Sequence, residues 1–199
     1  MNLPVSEAAE RNKAPILAAL ETIFAPARRV LEIGSGTGQH AVHFAAGLSH
    51  LHWLASDRAE NCAVIAARLA AAGMPNLTGP LNLDVQQAWP ELDIDAVFSA
   101  NTAHIMHWPA VVAMFEGVSL ALPVGGRFVL YGPFIRPGRE LETGNARFDN
   151  SLRAADPGMG LRELDSLEAL AAPLAMARTG LHEMPANNLL LIWERQPLS

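Results

Sequence analysis

An open, doubly wound α/β sheet is the fold class that this 199-residue sequence predicts. Short β-prone runs alternate with segments whose apolar residues recur at helical spacing, a rhythm that builds mostly parallel sheets. One of those runs ends in three alternate glycines and passes straight into a helix, the kind of join at which such sheets bind ligands. Half the residues are hydrophobic and 17% are charged, which suits a sheet covered by helices on both faces.

Pro15 reads as the first residue of a helix, with Ile16, Leu20, Ile23 and Phe24 at helical spacing and Pro26 closing it. Arg29 to Ile33 is the first strand, and a helix from about Gly38 places Ala41, Phe44 and Ala45 on one face. Leu51 to Ala55 is the second strand; the helix after it has Cys62, Ile65, Ala66 and Leu69 inside and stops at Gly73. Leu77 to Leu83 is a weaker third strand, interrupted by Gly79 and Pro80, and Ile94 to Ser99 a fourth, apolar enough to be buried on both faces. Pro109 opens a helix with Val111, Phe115, Val118 and Leu122 in one stripe, and Gly126 to Tyr131 is the fifth strand. Residues 132–162, rich in Gly and Pro, read as a long irregular segment. Asp165 and Glu168 resemble a capping box for a last helix that Pro173 must kink, and Leu189 to Trp193 closes the pattern as a strand. No linker or repeat interrupts residues 1–199, so one domain is expected.

The net charge is −6 with no Lys/Arg-rich block, which argues against a grip on nucleic-acid phosphates and favours a small-molecule partner. Cys62 is the single cysteine, so no internal disulfide forms and a reducing compartment fits. Residues 1–7 carry no apolar signal core and no run is long enough to span a membrane; the expected location is cytoplasmic.

The sharpest feature is Glu32-Ile33-Gly34-Ser35-Gly36-Thr37-Gly38-Gln39. Glycines there let the backbone turn tightly and a ligand approach with no Cβ in the way. In the dinucleotide fingerprint the third glycine falls one residue later, where Gln39 stands. Glu32 would also face a pyrophosphate unfavourably, whereas the sulfonium and ammonium of S-adenosyl-L-methionine suit a nearby carboxylate. Asp57 ends the second strand, placed to hold ribose hydroxyls, and Asp84, followed by Val85, ends the third, placed to accept from an adenine amino group. Either acid alone could be a helix cap; the three strand ends in one rhythm point to a cofactor site.

Glu10 to Leu17, Leu31 to Ala41, Leu83-Asp84-Val85, Phe98 to Asn101, His104-Ile105, Leu130 to Phe134, Phe148-Asp149 and Met184 to Asn188 together resemble the methyltransferase-like protein 26 family. The resemblance covers essentially the whole chain, and its Glu-Arg-Asn-Lys, Tyr-Gly-Pro-Phe and Pro-Ala-Asn-Asn stretches are far more specific than the glycine loop. It implies a Rossmann-like class I methyltransferase fold with seven strands, the last antiparallel, and S-adenosyl-L-methionine as cofactor. Gly144 before Asn145 departs from the pattern, where a Ser is more usual.

Methyl transfer asks the protein to align an acceptor, exclude water and, where needed, remove a proton. The segment Ser99 to Trp108 leaves the fourth strand at the edge where ligands bind. Asn101 is a candidate to orient donor or acceptor, and His104 and His107 are candidate bases. Tyr131 could donate to the acceptor. The expected cofactor set is Arg11, Asn12, Glu32, Gly34, Ser35, Gly36, Gly38, Asp57, Asp84, Val85 and Asn101, and the candidate catalytic set is Asn101, His104 and Tyr131. The His40/His43 and His104/His107 pairs lack the cysteine or carboxylate neighbours of a metal site, so no metal is expected. Asn-Thr-Ala-His is not the Asn/Asp-Pro-Pro-Tyr mark of amino-nucleobase methyltransferases. Arg11-Asn12-Lys13, ahead of the helix, is expected to form a flap within 8–25, and 132–162 a lid. Two alternatives stand beside a methyltransferase: a cofactor-binding interaction protein without turnover, and a nucleotide-dependent oxidoreductase.

Overall fold

The computed structural model describes residues 3–197 and divides into two compact units, Met1–Ser99 and Ala100–Ser199. The first unit opens with helix α1 (Glu7–Ile23) and continues through β1 (Arg29–Ile33), α2 (Gln39–Gly47), β2 (His52–Asp57), α3 (Ala59–Ala72), β3 (Leu77–Asn82) and β4 (Ala96–Ala100). Strand β1 pairs in parallel with β2 and β4, placing Glu32 beside Ala55 on one side and Phe98 on the other. Asp95 pins its entry, accepting the N–H groups of Arg28 and Arg29 at 2.9–3.0 Å. Phe44 of α2 packs edge-on to Phe98 at 5.2 Å and tilted to Trp53 at 5.4 Å, the aromatic centre of this unit's core.

Helix α1 does not begin at Pro15. Ser6 caps it, its hydroxyl accepting the Ala9 N–H at 3.3 Å, and Pro15 lies inside. Arg11, Asn12 and Lys13 therefore lie within α1 rather than ahead of a helix. The run Glu10 to Lys13 conceals the first turns because their only buried apolar contact is Ala9.

The second unit contains α4 (Trp108–Ala121), β5 (Arg127–Gly132), β6 (Phe134–Ile135), α5 (Thr143–Ala155), β7 (Arg162–Glu163), α6 (Leu164–Ala171), β8 (Met176–Met184) and β9 (Asn188–Arg195). In α4 the expected stripe is buried, and Phe115 meets Phe128 and Trp193 edge-on at 5.2 and 5.1 Å. Strand β9 runs antiparallel to both β5 and β8. The seven strands follow the order β3-β2-β1-β4-β5-β9-β8, and β6 pairs with β7 as a separate two-stranded ribbon. This is the doubly wound, mostly parallel sheet expected, with the last strand reversed.

Residues 132–162 are irregular only in part, since α5 and the β6–β7 ribbon organise the rest. Helix α5 buries no residue, so it leaves no apolar stripe to read in sequence. The capping box is also absent: α6 starts at Leu164 after Glu163, and Glu168 instead pairs with Arg178 at 2.5 Å. Strand β8 is absent from the sequence reading because it is a sheet edge, mostly exposed and bulged between Arg178 and Gly180. Among the described residues no helix is long and apolar enough to cross a membrane.

Candidate functional site

In the first unit the chain between β1 and α2 is built on left-handed backbone. Gly34, Gly36 and Gly38 have φ of 73°, 58° and 75°, a region that penalises any Cβ. Around Gly36 no atom lies within 4 Å of where a Cβ would be, so the loop presents open space there. Asp57 fixes the same loop. Its Oδ2 accepts the Gly36 N–H at 2.7 Å, and its Oδ1 accepts from the Arg58 N–H and the Asn61 amide, both at 2.8 Å. Three of roughly four carboxylate lone-pair sites are thereby used, leaving capacity toward a further donor.

Glu32 is 1% exposed. Its Oε2 accepts from the Ser35 hydroxyl at 2.8 Å and the Trp53 indole at 3.1 Å, and among the described residues no cation pairs with it. Burial pushes its carboxyl up to about 7, against the pull of those two donors, and Asp57 adds to the rise. A buried carboxylate with no positive partner suits a cationic ligand group. Asp84 is half-buried, its Oδ1 taking the Gln86 N–H at 3.0 Å, and Val85 beside it is buried.

The N-terminal helix meets the glycine loop through Gln39, the residue standing at the fingerprint's glycine position. Its Oε1 accepts the Ser6 N–H at 2.6 Å and the Thr37 hydroxyl at 2.8 Å, and its amide donates to Glu10. Arg68 donates to the carbonyls of Thr37 and Pro4, both at 2.5 Å. Asn12 Oδ1 lies 2.6 Å from His40 Nε2, in a ring that burial pushes down to about 4. The neutral His40 therefore carries its proton on Nε2 and donates it to Asn12. Arg11 is not brought to this network; it is exposed and among the described residues pairs with Glu7 alone, at 3.5 Å.

In the second unit Asn101 is itself left-handed, φ 58°, and its N–H donates to the Tyr131 carbonyl at 2.8 Å. Asn tolerates that backbone better than most residues. Tyr131 is buried at the carboxyl end of β5. His104 is 5% exposed, edge-on to Phe148 of α5 at 5.2 Å. Neither of its ring nitrogens has a hydrogen-bond partner among the described residues. Burial, then the charge of Arg162, pushes it down to about 4, so the ring is neutral and can accept a proton at neutral pH. His107, by contrast, is exposed and pairs with Asp156 at 2.8 Å.

Sequence reasoning missed what holds this loop. Arg162 donates to the carbonyls of Ala103 and Gly158 at 2.9 Å and to that of Met106, while the Gly160 N–H reaches the His104 carbonyl at 2.9 Å. Its only sequence signal is a lone Arg just after a glycine-rich stretch. A hollow of about 250 Å³ lies at the carboxyl end of β5 and β8, walled by Phe134, Leu141, Arg136, Glu183, Asn187 and Leu189. A larger hollow, about 810 Å³, sits at the opposite end of β8 around Met176 and Arg178, away from the edge where such sheets take ligands. Among the described residues no group of three or more His, Cys, Asp or Glu could hold a metal ion.

A model of the family described as "Protein of unknown function (DUF938)" matches residues 3–195. The chain belongs to that family. This DUF938 member is also similar in fold to S-adenosylmethionine-dependent methyltransferase SibL in its apo form, with a TM-score of 0.81 and 20% identity over 95% of this chain and 56% of that one. It is similar to the mitomycin 7-O-methyltransferase MmcR, with a TM-score of 0.84 and 16% identity over 94% of this chain and 54% of that one. A third likeness is to an O-methyltransferase family protein from Burkholderia thailandensis, with a TM-score of 0.81 and 14% identity over 94% and 57%. The fold is that of class I S-adenosylmethionine-dependent methyltransferases, and the chain spans a little over half the length of these proteins.

Proposed function

We propose that this protein is an S-adenosyl-L-methionine-dependent methyltransferase of small molecules, of the methyltransferase-like protein 26 type. The observation that carries the reading is Glu32: a fully buried carboxylate without a cationic partner among the described residues, directly before a left-handed glycine loop whose Gly36 faces open space. A dinucleotide pyrophosphate would meet that charge unfavourably; a ligand bearing an ammonium satisfies it.

In this reading Glu32 takes the ammonium group, and the Gly34, Ser35, Gly36 and Gly38 backbone leaves room for the ligand. Asp57 turns its remaining lone-pair capacity to the ribose hydroxyls while it fixes the loop, and Asp84 and Val85 receive the adenine. Asn12 reaches the site through His40. When bound, the cofactor supplies an electrophilic methyl carbon on a positively charged sulfur. Asn101 orients an acceptor group, Tyr131 flanks it, and His104, neutral and without a hydrogen-bond partner among the described residues, accepts the proton that the acceptor releases. Helix α5, with Phe148 against His104, supports the lid role of 132–162 by keeping water from that ring.

Isothermal titration with S-adenosylhomocysteine and with NAD tests the cofactor. The first should bind and the second should not; NAD binding without any response to the sulfur ligand sinks the proposal. With a substrate in hand, turnover at saturating cofactor should stay level from pH 8 down to pH 5.5, because His104 titrates at about 4. A fall centred at the ordinary histidine value, near 6.5, removes His104 as the base.

A further inference from the structure

We infer that the hollow at the carboxyl end of β5 and β8 binds a small molecule carrying one carboxylate on an apolar body, and that this is the methyl acceptor. Only the word acceptor rests on the methyltransferase reading; the binding pocket does not.

Arg136 carries the argument. Its side chain is only 25% exposed, yet one of its donors alone finds a protein acceptor among the described residues, Nη1 meeting Glu183 Oε1 at 2.6 Å. A guanidinium has five donors in a planar fork matched to a carboxylate's two oxygens. Arg139 sends its Nη1 to the same Glu183 oxygen, at 3.5 Å. Two cations thus converge on a single oxygen, with most of their donors unspent. Glu183 stands where an incoming carboxylate would be held, and acts as its internal competitor.

The remaining wall defines the body of the ligand. Phe134 and Leu189 are buried, and Leu141 and Met184 continue the apolar surface. About 250 Å³ is just under the usual range for drug-sized ligands, roughly 300–1,000 Å³, so the occupant is small. Glu140 and Glu142 also line the hollow and are exposed, and they disfavour multiply charged anions far more than a single carboxylate. Asn145 of α5 donates to the Asn187 carbonyl at 3.1 Å, closing one side against the β8–β9 turn. That turn holds Ala186 in left-handed backbone, φ 58°, a strain of the sort that ligand clamps retain.

The test compares 4-fluorobenzoate with 4-fluorobenzamide, which share size and shape but differ in charge, by fluorine NMR. S-adenosylhomocysteine affinity is measured on the same samples. Wild type should bind the benzoate at least about tenfold more tightly than the amide, as expected for charge-assisted recognition. Glu183→Gln should tighten benzoate binding several-fold by removing the competitor, whereas a merely structural ion pair predicts no gain. Arg136→Gln should abolish it, and Arg139→Gln, at an exposed position that cannot unfold the protein, should weaken it. Equal binding of the two compounds, no benzoate binding to wild type and Glu183→Gln, or undiminished binding to both arginine variants would overturn the inference. Benzoate binding without S-adenosylhomocysteine binding would uphold the pocket and remove the methyltransferase reading instead.

Discussion

The glycine loop of the first unit and the Asn101–His107 loop of the second are held in opposite ways. The first is fixed chiefly from within its own strand–turn–helix joins, by left-handed glycines, Asp57 at the next strand end and Ser35 folded back on Glu32, with Arg68, Ser6 and Glu10 adding contacts at Thr37 and Gln39. The second is fixed from outside, by Arg162 reaching two of its carbonyls, those of Ala103 and Met106, from a ribbon more than fifty residues further along the chain. Local restraint leaves a pattern in the sequence, because each residue type answers a backbone demand close by. A distant clamp leaves none, since any surface arginine looks the same before the chain folds.

The contrast breaks most readily at Asp57. Asp57→Ala strips acceptors from three donors, and its stability in urea should fall by about 4 kcal/mol, with cofactor affinity down at least about tenfold. A loss under about 1 kcal/mol would mean that the glycines hold the loop unaided.

Glu32 gives the next largest effect, and its sign runs against the usual carboxylate. Its folded value, about 7, lies above the ordinary 4.5. The stability it contributes is therefore complete below pH 4.5 and is lost as pH rises through 7, on the order of 3 kcal/mol. Glu32→Gln should flatten that slope in denaturant melts at pH 5 and pH 8 and exceed wild type at pH 8. Cofactor binding to wild type should tighten as pH rises through 7, since an ammonium favours the ionised form. His40 and His104 act in the other direction, their depressed values costing stability as pH falls from 6.5 toward 4.

Arg162→Ala should lose about 2 kcal/mol, less than its bonds sum to because the side chain is partly solvated. Hydrogen exchange should quicken across 101–108 while S-adenosylhomocysteine affinity stays unchanged. Arg162→Lys should rescue little, because an ammonium cannot span the same fork of carbonyls. Smallest is Arg11→Ala, an exposed pair worth less than about 0.5 kcal/mol. Unaltered cofactor affinity in that variant would retire Arg11 from the cofactor set.

The same contrast accounts for what was legible beforehand. Strand β1, the glycine turn and the stripe of α4 were readable because burial and backbone constraint act on neighbouring residues. The start of α1 was hidden by its solvated Glu10–Lys13 face, α5 by having no buried residue, and β8 by lying at an edge. Within the candidate site, Glu32 announced itself by standing before the glycines and Asp57 by ending the second strand. Arg136, Arg162 and Glu183 acquire meaning only through residues far away in the chain.

The reversed strand β9 bears on how the protein is made. Both β5 and β8 depend on it for hydrogen-bond partners within their unit, and among the described strands it is synthesised after all the others. Residues 3–99 can gather their parallel core while synthesis continues, but β8 must wait as an unpaired edge until Asn188–Arg195 emerges. Nascent chains stalled just before β9 should therefore be held by chaperones and cut by proteases in their second half alone.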